Sequence, residues 1–133
     1  GPNKGDGRCV LSALGIKYWD YIPAVLHWNA NKDHPQCPLN PAYQLVRNIL
    51  AATVRDGRCS PVNGHAVLLY DKRNPKFGPK AEKCTALKDV RKDLRDANLL
   101  RTCSWQYLME QLEKNQKMEA LVRALKAKYG FFL

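Results

Sequence analysis

The run Tyr43-Gln44-Leu45-Val46-Arg47-Asn48-Ile49-Leu50, led in by Asn40-Pro41 and followed later by Gly64-His65-Ala66-Val67-Leu68-Leu69-Tyr70, decides the fold class. Tyr43, Val46, Ile49 and Leu50 fall three and four residues apart, which places them on one stripe of a helix. Asn40 suits an N-cap and Pro41 the first helical position, so the pattern predicts an amphipathic helix from there to a stop near Asp56-Gly57. The second segment is a short apolar run between turn residues, as expected for a buried strand. Helix and strand in succession indicate an α/β domain.

Upstream, Cys9-Val-Leu-Ser-Ala-Leu-Gly-Ile-Lys-Tyr-Trp19 is apolar and partly alternating, and reads as a strand. Gly5-Asp6-Gly7 before it is a hairpin-turn signal, yet only a few residues precede that turn. The chain is therefore expected to start in the middle of a supersecondary unit. Gly1-Pro2 looks like a remnant of tag removal and is set aside, leaving 3–133 as a single domain. Residues 20–40 carry three prolines and little periodicity, which predicts a long connection with one helical turn. Downstream, Thr85 can cap a helix to about Asp96, with Leu87, Val90 and Leu94 inward. Ser104 caps the next helix, Trp105 to about Glu113, with Leu108, Met109 and Leu112 as core positions. Residues 117–128 form a last helix stopped by Gly130. The expected order is strand, helix, strand and three helices.

The chain has 133 residues, 45% of them hydrophobic and 26% charged, which excludes collagen, mucin-like stalks and wholesale disorder. Lys and Arg total 22 against 12 Asp and Glu, a formal charge of +10, so a polyanion is the default partner. No apolar run approaches the ~20 residues that cross a bilayer. Five cysteines (Cys9, Cys37, Cys59, Cys84, Cys103) at wide, unequal spacings make a poor disulfide framework, which points to a reducing cytoplasm. No P-loop, nucleophile elbow or GxGxxG is present.

Four segments, in order, carry a resemblance. They are Gly15-Ile16-Lys17-Tyr18-Trp19-Asp20 at a strand end, Tyr43-Gln44-Leu45-Val46-Arg47-Asn48 on a helix, Ala66-Val67-Leu68-Leu69-Tyr70-Asp71, and Cys103-Ser104-Trp105. From about residue 7 to 130 the chain resembles the restriction-endonuclease-like branch of the PD-(D/E)xK nuclease superfamily, most of all bacterial restriction endonucleases inferred from genomes. The resemblance implies metal-assisted phosphodiester hydrolysis, in which two carboxylates hold Mg²⁺ and a lysine two residues after the second acid orients the water or stabilises charge. Lys17 matches that lysine. Position 15, where the acid belongs, is Gly, and the strand that would carry the first acid is not found. Gln44 matches a position where these nucleases often place a polar residue facing the site, and it can equally be an ordinary exposed residue. Arg47 shares its face and can pair with a phosphate or with a nearby carboxylate.

The loop Lys72-Arg73-Asn74-Pro75-Lys76-Phe77-Gly78-Pro79-Lys80 gathers four cations around one aromatic. Lys72, Arg73, Lys76 and Lys80 suit a phosphate backbone, and Phe77 suits stacking on an unpaired base. The plain alternative is a solvated surface loop. The cations of the last helix (Lys114, Lys117, Arg123, Lys126, Lys128) flank an apolar stripe, as on any surface helix. His27, His34, Cys37 and Cys59 invite a zinc reading, but their spacing matches no compact finger, and no metal ligand is assigned.

The expectation is a small α/β domain, a few-stranded mixed sheet with flanking helices, restriction-endonuclease-like and truncated. Lys17 and Gln44 are its candidate catalytic residues. Lys72, Arg73, Lys76, Phe77, Lys80 and Arg47 are its candidate DNA contacts. Mg²⁺ is the one cofactor implied. A degenerate or partial nuclease domain would engage DNA without cleaving it alone, and would become a metal-dependent endodeoxyribonuclease only if the missing acids came from elsewhere. The rival is a non-catalytic protein-interaction module on the same scaffold. A second copy or an upstream segment would complete the site, and no membrane is involved.

Overall fold

A computed structural model describes residues 20–27 and 42–130. The expected strand at 9–19, with Lys17 and Gly15, lies outside the described residues, as do Asn40, Pro41, His34 and Cys37. Among the described residues are five α-helices and two two-stranded sheets, a small α/β fold. None of these helices is long and apolar enough to cross a membrane. They form two compact units interleaved along the chain, one built from residues up to Ala66 with 85–101, the other from 67–84 with residues from Thr102 on.

In the first unit, α1 (Ile22–Val25) is the single helical turn expected in the Pro-rich connection. Helix α2 (Tyr43–Thr53) buries Val46, Ile49, Leu50 and Thr53, while Gln44, Arg47 and Asn48 face solvent. It starts with Ala42 at the N-cap, which has no side-chain oxygen to offer. The helix also stops sooner than the sequence suggests, at Thr53. Asp56 and Gly57 are not its end but the tip of a hairpin, β1 (Val54–Arg55) against β2 (Arg58–Cys59). Their φ values of 50° and 74° meet the requirement of a two-residue type I′ turn, which only Gly, Asn and Asp satisfy readily. Helix α3 (Thr85–Asp93) buries Leu87 and Val90, and Leu94 just beyond it is also buried, as the spacing predicts. It ends at Asp93, three residues short of expectation, because Leu94 forms an antiparallel bridge to Leu26. The bridge is flanked by His27 N donating to Asp93 O at 2.7 Å and Arg95 N donating to Val25 O at 2.9 Å. Each fully buried Leu, Ile or Val here contributes roughly 1.5–3 kcal/mol.

In the second unit lies most of β3 (Ala66–Tyr70) and β4 (Leu100–Ser104), which pair with each other. The segment 66–70 is a strand, as expected, but not a buried one. Ala66 and Tyr70 are buried, whereas Val67 is 52% exposed, because a two-stranded sheet cannot cover both faces. The partner β4 carries no strand signal of its own in the sequence, because its short run sits directly against the helix cap that dominates the local pattern. Ser104 caps α4 (Trp105–Glu113) as predicted, its Oγ accepting from Tyr107 N at 3.1 Å. A 3₁₀ turn at Gln116–Met118 leads into α5 (Glu119–Tyr129), and Gly130, at φ 63°, ends it. Met109 and Val122 are the buried centre of this unit, with Trp105, Leu112, Met118 and Leu125 packed around them.

Candidate nucleic-acid interface

Between β3 and α3, residues 71–84 form a long connection without helix or strand. Loops of that length in compact proteins are usually functional or disordered. This one is internally bonded throughout. Asn74 O accepts from Phe77 N at 3.0 Å and Gly78 N at 3.1 Å, and Asn74 Oδ1 accepts from Lys76 N at 3.0 Å. Phe77 O then accepts from Lys83 N at 2.8 Å, closing the loop on itself. Tyr70, at the end of β3, serves as its post. The Tyr70 ring stacks on Phe77 at 5.9 Å between centroids, and its hydroxyl donates to Pro79 O at 2.9 Å.

The loop is also tied to the helices of its own unit. The Asp71 carboxylate accepts from Arg73 Nε at 3.0 Å, Arg73 Nη2 at 2.6 Å and Gln106 Nε2 at 2.7 Å. Gln106 Oε1 in turn accepts from Lys72 N at 3.1 Å. Arg73 reaches further, donating to the carbonyls of Gly130 and Tyr129, each at 3.0 Å, at the C-terminal end of α5. A cation there also complements the negative end of the helix dipole. The Arg73 guanidinium holds the Asp71 carboxyl well below the usual carboxylate range, with the backbone N–H of Arg73 and the amide of Gln106 adding to the effect. Glu82 is likewise lowered, chiefly by backbone N–H groups, its own and that of Lys80, which donates to Glu82 Oε2 at 2.8 Å.

The candidate DNA residues thus divide by environment. Lys72, Lys76 and Lys80 are exposed on a braced loop. Arg73 is engaged by Asp71 and the end of α5, and Phe77 is half-buried against Tyr70. Arg47 lies on the exposed face of α2, away from its buried stripe, and Gln44, the candidate catalytic residue, shares that face. Tyr70 and Asp71, which the sequence marks only within the 66–71 segment of the resemblance, and Gln106, which it does not mark, position the loop. The local signal for the role of Asp71 is an acid two residues before an arginine at a strand end. The cations of α5 are partly neutralised, Lys126 by Glu113 and Arg123 by Glu119 across one turn. Those two ion pairs also line a surface groove of about 310 Å³ with Gln116 and Val122, so its walls carry balanced charge.

Among the described residues no three His, Cys, Asp or Glu side chains are gathered as metal ligands would be. The positions to which the resemblance assigns Mg²⁺ chemistry, around Gly15 and Lys17, lie outside the described residues. Cys59, Cys84 and Cys103 are half-buried free thiols, and Cys59 donates its S–H to Thr53 Oγ1 at 3.1 Å.

A small basic α/β chain presenting lysines on a braced loop belongs, on its family match, among restriction-endonuclease-related proteins. The chain is a member of the family described as restriction endonuclease associating with ARP, whose model matches residues 5–130. No curated protein and no solved structure matches it.

Proposed function

We propose that this domain is a degenerate or partial nuclease module of the PD-(D/E)xK kind that grips DNA through phosphate contacts and does not cleave it alone. The observation that carries the reading is the loop at 71–84. Lys72, Lys76 and Lys80 are exposed there, while Asp71, Gln106, Arg73 and Tyr70 hold the backbone that bears them. Because the loop backbone is already ordered, only side-chain entropy is lost when its lysines meet a phosphate backbone, and the +10 net charge draws the polyanion in. Arg73 acts as a brace in this scheme, and the lysines make the contacts. Gly15 in place of the motif acid supports the absence of cleavage, since glycine has no side chain to bind a metal. Lys17 would then survive as the remnant of the site, with Gln44 beside the same chemistry in the family pattern.

Fluorescence anisotropy with a short duplex at rising salt tests this. Binding should be micromolar or weaker and fall linearly on logarithmic axes, with a slope of about −0.9 for each phosphate engaged. No binding at ~50 mM salt would remove the DNA reading. A second reading, a protein-interaction module, is favoured by the family's description as an associating protein and by half-exposed Leu121 and Tyr129 on α5. Under that reading the lysine loop could be neutralised without loss of the partner.

A further inference from the structure

The hairpin that interrupts the expected end of α2 carries an arrangement that its own stability does not explain. Arg55 and Arg58 are direct cross-strand partners, one on each side of the Asp56-Gly57 turn. Partners in register project from the same face of a hairpin with Cβ atoms about 4.5–5.5 Å apart, and like charges so placed repel. Both arginines are exposed. Asp56 lies between them in sequence, yet Arg55, Asp56 and Arg58 form no ion pair among the described residues. An arginine pair on one face of a hairpin, with no carboxylate partner among the described residues, has the chemistry of an anion clasp, because each guanidinium offers a planar fork that matches a phosphate.

The root of the hairpin is rigid. Thr53 Oγ1 donates to Ile49 O at 2.6 Å, Ser60 N donates to Thr53 O at 3.0 Å, and Asn63 Nδ2 bridges Thr53 O at 2.9 Å and Arg58 O at 3.3 Å. Cys59 Sγ adds its bond to Thr53 Oγ1. The strands are only two residues long, so Arg55 stands two positions beyond Thr53, the buried last residue of α2, with Arg58 opposite it.

We infer that Arg55 and Arg58 form a second phosphate-binding contact for the nucleic-acid backbone, carried by the first unit and independent of the lysine loop in the second. The inference rests on the DNA-binding reading above and adds a contact to it.

Anisotropy with one short duplex, from ~50 to ~200 mM salt, distinguishes the two contacts. The proteins compared are the full chain, Arg55→Gln/Arg58→Gln, Arg55→Lys/Arg58→Lys, and Lys72→Gln/Lys76→Gln/Lys80→Gln. The glutamine pair should lower the magnitude of the salt slope by roughly 2 and the affinity by about tenfold, as expected for two lost phosphate contacts. The lysine pair should recover most of the slope, because the charge remains. Thermal unfolding of the free glutamine variant should be no lower than that of the parent, since a repulsion has been removed. If the parent binds and the glutamine pair keeps both slope and affinity, the hairpin contact is wrong and the loop reading stands. If the loop variant binds like the parent while the hairpin variant is weakened, the loop reading fails and the hairpin contact survives. No binding by the parent chain overturns both.

Discussion

The guanidinium of Arg73 straddles the carboxylate of Asp71, with Nε 3.0 Å from Oδ1 and Nη2 2.6 Å from Oδ2, and so fixes the direction in which the basic loop leaves β3. The same arginine then caps the carbonyl end of α5 through Tyr129 and Gly130. One side chain therefore links the loop's first turn to the last helix, and its charge is committed within the protein.

Replacing the acid of this pair should be visible in both stability and its pH dependence. Asp71→Asn keeps an acceptor but removes the charge that holds Arg73, so the denaturation midpoint at pH 7 should fall. Because the folded carboxyl titrates below its ordinary value of about 3.9, its stabilisation is complete above that value and is lost as pH falls through the lower folded one. The gap between parent and variant should therefore be constant from about pH 5 to 7 and close only below about pH 4. Urea titrations at several pH values measure it. A gap that closes between pH 5 and 7 would show that another group is responsible.

Two glycines should respond differently to alanine. Gly57, at φ 74°, has only the Tyr21 hydroxyl nearby, 3.9 Å from where a Cβ would stand, so Gly57→Ala should cost about 1–2 kcal/mol from backbone strain alone. At Gly78, with φ 78°, a Cβ would run into the Glu82 carboxylate. Gly78→Ala should cost roughly 2–3 kcal/mol, because Glu82 must also release the backbone N–H of Lys80. NMR titration gives a second readout: the Glu82 pKa, lowered in the parent, should return towards its ordinary value in Gly78→Ala and not in Gly57→Ala.

Truncating the centre of the second unit should be more damaging than either. Met109 is fully buried beneath Trp105, Leu112 and Leu125. Met109→Ala should lose about 2–5 kcal/mol in chemical denaturation, and a loss below 1 kcal/mol would mean that the surrounding side chains collapse into the space.

On the nuclease side, plasmid nicking should be absent with Mg²⁺ or Mn²⁺, both for the parent and for Gly15→Glu. If the degenerate-site reading holds, one carboxylate introduced beside Lys17 would still have to hold a hard, strongly hydrated cation without the second acid that such a motif requires. Metal-dependent nicking by the parent that vanishes in Lys17→Ala would refute the degenerate-site reading.

Several features were legible in the sequence because their causes are local. The buried stripes Val46, Ile49, Leu50 and Leu87, Val90, Leu94 follow from helical period, and the chain packs them as read. Ser104 and Gly130 act at helix ends through bonds to residues three or four positions away, so residue type alone announces them. Other features depended on contacts distant in sequence. Asp56-Gly57 serves a helix stop and a hairpin tip equally well; the hairpin prevails because Asn63, ten residues from Thr53, pins its root. Strand β4 exists because β3 lies beside it, and nothing in Leu100-Arg-Thr-Cys-Ser104 announces that partner. Arg73 reads as one more cation among its basic neighbours in the sequence, whereas in space it also bonds Asp71 and carbonyls 56 and 57 positions away, with Asp71 held in turn by Gln106. Composition and period determine which faces are apolar and which segments are basic. Only the folded chain decides which of those charges already have a partner, because pairing depends on distance in space, which sequence separation does not encode.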